Sequence, residues 1–359
     1  MSLPNASYRL LFRLTQPPPN SPEKTPPAPG KPADAPKAPQ KKKSSSLFPL
    51  IALLALLPLF LVFSALFLPG PLEKPQTVII PRGTTVHDIA TSLASNGVIS
   101  NPFVFRAAAR ILAGDSLQAG EYLFPPQQSI SDIVLMLRDG HAVVRMFTVA
   151  EGLTSFEIVS LMRNDPALTP EVTAIPAEGS LLPETYRYNY GDSHMSLIER
   201  MQKGQRDLLN ELWANRDMSI PLKTPQEAVI MASVIEKETS RNDERARIAG
   251  VFYNRQRQGM RLQSDPTVIY ALTKGQSTLP RELTHDDLAI ASPFNTYVHD
   301  GLPPKPICNP GRASLEAALH PEKNDYLYFV ADGKGGHAFA KDITQHNKNI
   351  THWLSLSKP

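Results

Sequence analysis

Residues 224–265 read TPQEAVIMASVIEKETSRNDERARIAGVFYNRQRQGMRLQSD, and the rest of the chain is arranged around them. Thr224 can cap a helix, Pro225 suits its first position and Glu227 closes a capping box three residues on. At about 100° per residue, Glu236 falls beside the stripe of Ala228, Met231 and Ile235 and interrupts an apolar face. Glu238 is turned roughly 200° from Glu236 and is expected to meet water, so the two acids do not form a pair. A carboxyl among aliphatic side chains loses hydration, and burial favours the protonated form a general acid needs. Glu236 is therefore the candidate acid. The competing expectation is a helix-end glutamate that pairs with Lys237 or with an arginine of the next helix.

Outward from that helix, Ser196 to Arg216 has amphipathic spacing before it, and a second helix, from about Asp243 to Gln258, follows it and stops at Gly259. Ser264–Pro266 opens another helix, and Arg312 to His320 a short one. DYLYFVADGKGGHAFA is expected to form a β-hairpin, with strands near 326–331 and 337–340, and a helix near 344–356 ends the chain. On the other side, the chain reads as irregular from about residue 165 to 195. Residues 77–160 repeat one pattern three times: an extended stretch, a turn, then a cap and an acid three residues later. The cap and acid pairs are Thr85 and Asp88, Ser129 and Asp132, and Thr154 and Glu157.

The N-terminal part is of another kind. Residues 1–46 hold eleven of the 35 prolines and lack apolar periodicity, so a disordered tail is expected. They carry eight Lys or Arg against Glu23 and Asp34, a net of +6; the whole chain is +3, so the remainder is 3 − 6 = −3. The basic character belongs to the tail, and the folded part has no electrostatic reason to bind nucleic acid. Leu47 to Leu68 contains no charged residue, and 22 residues of helix reach about 33 Å against a hydrocarbon core of about 30 Å. A single transmembrane helix is expected there; the length of the run and the lack of a small-x-small site after it argue against a cleaved signal peptide. Lys41, Lys42 and Lys43 precede the span, which keeps the tail in the cytoplasm and exports the rest. The lone cysteine, Cys308, excludes an internal disulfide and a thiol cluster for zinc, and the nine histidines form no HExxH pattern.

Two resemblances rest on these motifs. VIIPRGTTVHDIATSLASNGVI resembles LysM modules, which bind the N-acetylglucosamine of cell-wall glycans. ASVIEKETS, VFYNR, GMRLQSDPTVIYAL, SPFNTY, GLPPKPICNPG and DYLYFVADGKGGHAF with HNKN, in that order, resemble the MltG-type, or YceG-like, endolytic murein transglycosylases. The second resemblance implies a lyase that cleaves the β-1,4 bond between N-acetylmuramic acid and N-acetylglucosamine and leaves a 1,6-anhydro end. No cofactor and no metal are expected. The resemblance places the catalytic glutamate in EKET, at the position matched to Glu236. One carboxylate then suffices, because the substrate's own C6 hydroxyl is a tethered nucleophile where a hydrolase needs a second acid. The expected substrate contacts are Gln263, Asp265, Asn295, Tyr297, Glu184, Tyr186 and His337, against plainer roles as caps, turn formers or core tyrosines. The expected architecture is α+β: tail 1–46, membrane helix 47–68, LysM-like subdomain 69–160 and catalytic domain 161–359. Its expected location is a bacterial inner membrane with the catalytic part on the periplasmic side, its partners nascent peptidoglycan strands and their synthases. The rivals are a glycan-binding scaffold and a hydrolase on the same fold.

Overall fold

The structure is a computed structural model that describes residues 48–170, 172 and 174–356, with side-chain surroundings left out at 48–55 and 59. The expected tail lies outside the described residues. The chain divides into Met1–Ala55 and Leu56–Pro359, and every element after the first helix belongs to the second unit. That first helix, α1 (Phe48–Phe67), has no charged residue, but its residues' surroundings are described only at 56–58 and 60–67. Among the described residues no helix is long and apolar enough to cross a membrane. The expected span therefore lies in part outside them.

Among the described residues three apolar clusters succeed one another along the chain. In the first, β1 (Gln76–Ile80), α2 (Val86–Ser95), α3 (Pro102–Ala113), β2 (Gly120–Phe124) and α4 (Ile130–Asp139) enclose Ile89, Leu93, Phe105, Tyr122, Ile133 and Leu137. Thr85 and Ser129 cap α2 and α4 by accepting the amides of Asp88 and Asp132. β1 and β2 pair antiparallel, from Gln76↔Phe124 to Ile80↔Gly120.

The third repeat departs from the other two. Thr154 and Glu157 form a complete capping box on α5 (Ser155–Arg163), but β3 (Arg145–Thr148) does not join the first sheet. It pairs antiparallel with β4 (Thr185–Tyr188), a strand in the stretch that reads as irregular. The gain is apolar burial: Phe147, Ile158, Met162, Leu181, Tyr188, Leu197 and Met201 form a second cluster that draws on both sides of residue 160.

The third cluster carries the site. It is built from α6 (His194–Ala214), α7 (Pro225–Glu238), α8 (Asn242–Arg257) and α11 (Arg312–Leu319), with α9 (Asp265–Thr273), β5 (Tyr328–Ala331) and β6 (His337–Ala340) packed against it, while α10 (His285–Leu288) and α12 (Ile343–Leu356) contribute none of its described residues. β5 and β6 form the expected hairpin, in register from Tyr328↔Ala340 to Ala331↔His337. Every residue of α7 from Ala228 to Ile235 is buried. The middle of the helix is thus wrapped on all sides, while in its last turn Lys237 is exposed and Glu236 and Glu238 are partly buried.

Candidate active site

At the end of α7 the chain turns sharply: Thr239 is extended and α8 begins at Asn242. This folds the first turn of α8 back over the acids of EKET. Glu236 has a side chain 4% exposed, but aliphatic side chains are not its polar surroundings. Its Oε1 accepts Arg245 Nη2 at 2.9 Å, and its Oε2 accepts the amide of Gly311 at 2.9 Å. The guanidinium of Arg245, 5% exposed, also lies 3.4 Å from Glu151 Oε2. The expectation that Glu236 stands alone in an apolar wall is thus corrected: α8 delivers a buried counter-ion, which the alternative reading had allowed. Gly311 also leaves room for the Glu151 carboxylate, since a Cβ there would stand 1.9 Å from Glu151 Oε1. Burial and the neighbouring Glu236 push the Glu151 carboxyl above the usual carboxylate range, against the pull of Arg245.

Glu238 overturns a second expectation. It is partly buried, in the walls of two clefts, and not turned out to open water; its carboxyl is pushed up to about 7, chiefly by burial and then by the nearby Asp265. Ser264 Oγ donates a hydrogen bond to Glu238 Oε1. Ser264 occupies the N-cap position of α9 yet makes no side-chain cap bond there. Its hydroxyl serves the acid instead.

Glu238 lies where two clefts meet. One, of about 440 Å³, is lined by Glu238, Arg255, Gln263, Asp265, Tyr297, Tyr328, His337 and His346 among others. The second, of about 410 Å³, is lined by Glu151, Glu236, Glu238, Ser240 and Arg245. Four of the substrate contacts expected from sequence, Gln263, Asp265, Tyr297 and His337, thus converge on one cleft. Tyr297 donates its hydroxyl to Asp265 Oδ1 at 2.5 Å, and burial together with that bond pushes the phenol up. Gln263 takes a left-handed φ of 54°, a conformation that side chains rarely adopt, while its Oε1 accepts from Arg255 and its amide donates to Thr296 O at 3.1 Å.

The other three do not face either cleft. Asn295 is fully buried and ties its own loop: Nδ2 donates to the carbonyls of Leu288 and Ile290, each at 3.0 Å, and Oδ1 accepts the Tyr297 amide at 2.9 Å. Glu184 is an exposed residue before β4. Tyr186, on β4, donates to Leu182 O at 2.7 Å in the second apolar cluster. The sequence reading missed Glu151, Glu238, Arg245 and Arg255. Only Glu238 carried a local signal, its place in EKET; the others reach the site through packing. Among the described residues no group of His, Cys, Asp and Glu could hold a metal ion.

Residues 78–352 match the YceG-like family. The chain is 32% identical over 320 residues to the endolytic murein transglycosylase of Bacillus subtilis (strain 168), covering 79% of this chain and 88% of the relative. It is 28% identical over 327 residues to that of Streptococcus pneumoniae serotype 2, where 79% of this chain spans 59% of the relative. A crystal structure of a YceG-like protein from Listeria monocytogenes, at 34% identity, covers 77% of this chain and 99% of its own with a TM-score of 0.45.

Proposed function

The chain belongs to the YceG-like family, and we propose from the geometry of its two clefts that it is a lytic transglycosylase that cuts within peptidoglycan strands, with Glu238 as its acid and base. The observation that carries this is the carboxyl of Glu238, pushed up to about 7 at the junction of two clefts lined with hydrogen-bonding groups. A general acid works best when it still holds its proton near the operating pH. An acid at a junction, with open space on both sides, suits a cut inside a strand better than one at a blind end.

The step balances with one carboxyl. Glu238 gives its proton to the glycosidic oxygen between N-acetylmuramic acid and N-acetylglucosamine as the C1–O bond breaks. The C6 hydroxyl of the same muramyl sugar forms a bond to C1 and its proton passes to the Glu238 carboxylate, which restores the acid and leaves a 1,6-anhydro end. Asp265, Tyr297, Gln263 and His337 supply partners for sugar hydroxyls and acetamido groups.

The family resemblance places the acid at Glu236, and this assignment is the second reading. It is supported by the sequence match of EKET and by the place of Glu236 in the wall of the second cleft. The geometry favours Glu238, because both oxygens of Glu236 are already engaged by Arg245 and Gly311.

The same reading extends to the rest of the chain. The apolar run 47–68 anchors it to the bacterial inner membrane with the tail in the cytoplasm and the site on the periplasmic side, where nascent strands leave their synthases. Residues 69–160 hold the strand as a LysM-like module, and 161–359 cut it. Mass spectrometry of products from purified glycan strands tests the activity: anhydro ends support it, while reducing ends indicate a hydrolase and intact strands a binding scaffold. Glu238→Gln and Glu236→Gln in the same assay decide between the acids.

A further inference from the structure

The turn between β5 and β6 is built around a carboxylate from another element. Glu244, in the first turn of α8, is 6% exposed. Its Oε1 accepts the backbone N–H of His337 at 3.0 Å, and its Oε2 faces His337 Nδ1 at 2.7 Å. The Thr239 hydroxyl donates to Oε2 at 3.4 Å, and Arg241 Nε stands 3.6 Å from Oε1. Gly336 makes room for this: a Cβ there would be 2.6 Å from Glu244 Oε1. Residues 333–337, GKGGH, thus do more than reverse the chain. They hold a histidine against a buried acid.

The consequence is a chosen tautomer. A carboxylate has only acceptors to offer, so the ring nitrogen that meets Glu244 must carry the hydrogen, and in the neutral ring Nε2 keeps a lone pair. The ring is fixed by Phe329, edge-on at 5.3 Å, and by Phe339 at 6.4 Å. It lines the same cleft as Glu238.

We propose that Glu244 is a positioning residue that holds His337 in its Nδ1–H form, so that Nε2 accepts a hydrogen bond from the acetamido N–H of the muramyl sugar, orients the ring with its C6 oxygen toward C1 and leaves the hydroxyl hydrogen free for Glu238. This rests on the lytic transglycosylase reading of the same site. No bond to histidine forms or breaks, and the hydroxyl proton still passes to Glu238. The pair acts on the geometry of attack, so its loss lowers kcat more than it raises KM.

Glu244→Gln in the full chain tests it. Glutamine offers one oxygen and one amide; if the oxygen keeps the His337 backbone N–H, the amide N–H turns to Nδ1 and drives the ring to the Nε2–H form. The expected results are exchanged nitrogen chemical shifts for the His337 ring and a kcat lower by roughly tenfold or more, as for an imidazole in the wrong tautomer, with KM little changed. His337→Gln, which can place an amide oxygen near the position of Nε2, is expected to retain more activity than His337→Ala. The proposal is overturned if Glu244→Gln leaves kcat unchanged, if the ring does not change tautomer, or if His337→Ala equals the wild type or His337→Gln. A wild-type chain that releases no anhydro ends at all would instead remove the underlying reading and this proposal with it.

Discussion

Replacing Glu238 by Gln should stabilise the fold at pH 8 and abolish cutting, and the size of the first effect comes from the burial of the acid. Its carboxyl, ordinarily near 4.5, is pushed up to about 7. Between those pH values the folded chain keeps a proton that the unfolded chain has released, so stability falls as pH rises through that window and the loss is complete above it. The gap of about 2.5 pH units, at about 1.36 kcal/mol each, is about 3 kcal/mol. Glutamine has nearly the shape of the acid, can accept the Ser264 hydroxyl and never ionises. Thermal melts of both proteins at pH 4.5 and pH 8 should therefore show little difference at the lower pH and a higher Tm for Glu238→Gln at the upper one, by about 5–10 °C for a domain of this size. The cutting rate should fall by about 100-fold or more, because an amide cannot give the proton. The wild-type rate should decline as pH rises through about 7 as the acid loses its proton. Equal melting temperatures at both pH values would refute the claim that the fold shields this carboxyl, and full activity of the variant would refute its role as the acid.

The other expectations are simpler to measure. Glu236→Gln should destabilise, by about 3 kcal/mol in chemical denaturation, because it leaves the buried Arg245 without its nearest counter-charge; the sign is opposite to that for Glu238→Gln, and a stabilised variant would contradict the ion pair. Cys308 is fully buried and its thiol is pushed well up by that burial, so an aromatic disulfide reagent should label it only when the protein unfolds; rapid labelling of the folded chain would contradict its burial. A chain that starts at residue 69 should still cut purified strands with an intact circular dichroism spectrum. It would be slightly less stable, since Ser131 Oγ loses its bond to Leu66 O and Leu66 its packing; loss of cutting without loss of fold would mean that the apolar run does more than set location.

What could be read from the residues in order was whatever depends on neighbours a few positions apart. The caps at Thr85, Ser129, Thr154 and Thr224 appear where the pattern of hydroxyl and acid placed them, because a side chain that accepts an amide three residues on needs no partner from elsewhere. The β5–β6 hairpin was legible for the same reason, through its glycines. Gln263, Asp265, Tyr297 and His337 were picked out only through a resemblance to a family, and that they line one cleft came from the tertiary structure. Tertiary structure alone decided that β3 turns to β4 in place of the first sheet, that Asn295 faces inward, that Arg245 reaches Glu236, and that Glu238 is partly buried between two clefts. Burial and ion pairing depend on what packs against a residue from distant parts of the chain, and a helix buried all round from Ala228 to Ile235 gives no outer face to extrapolate to its last turn.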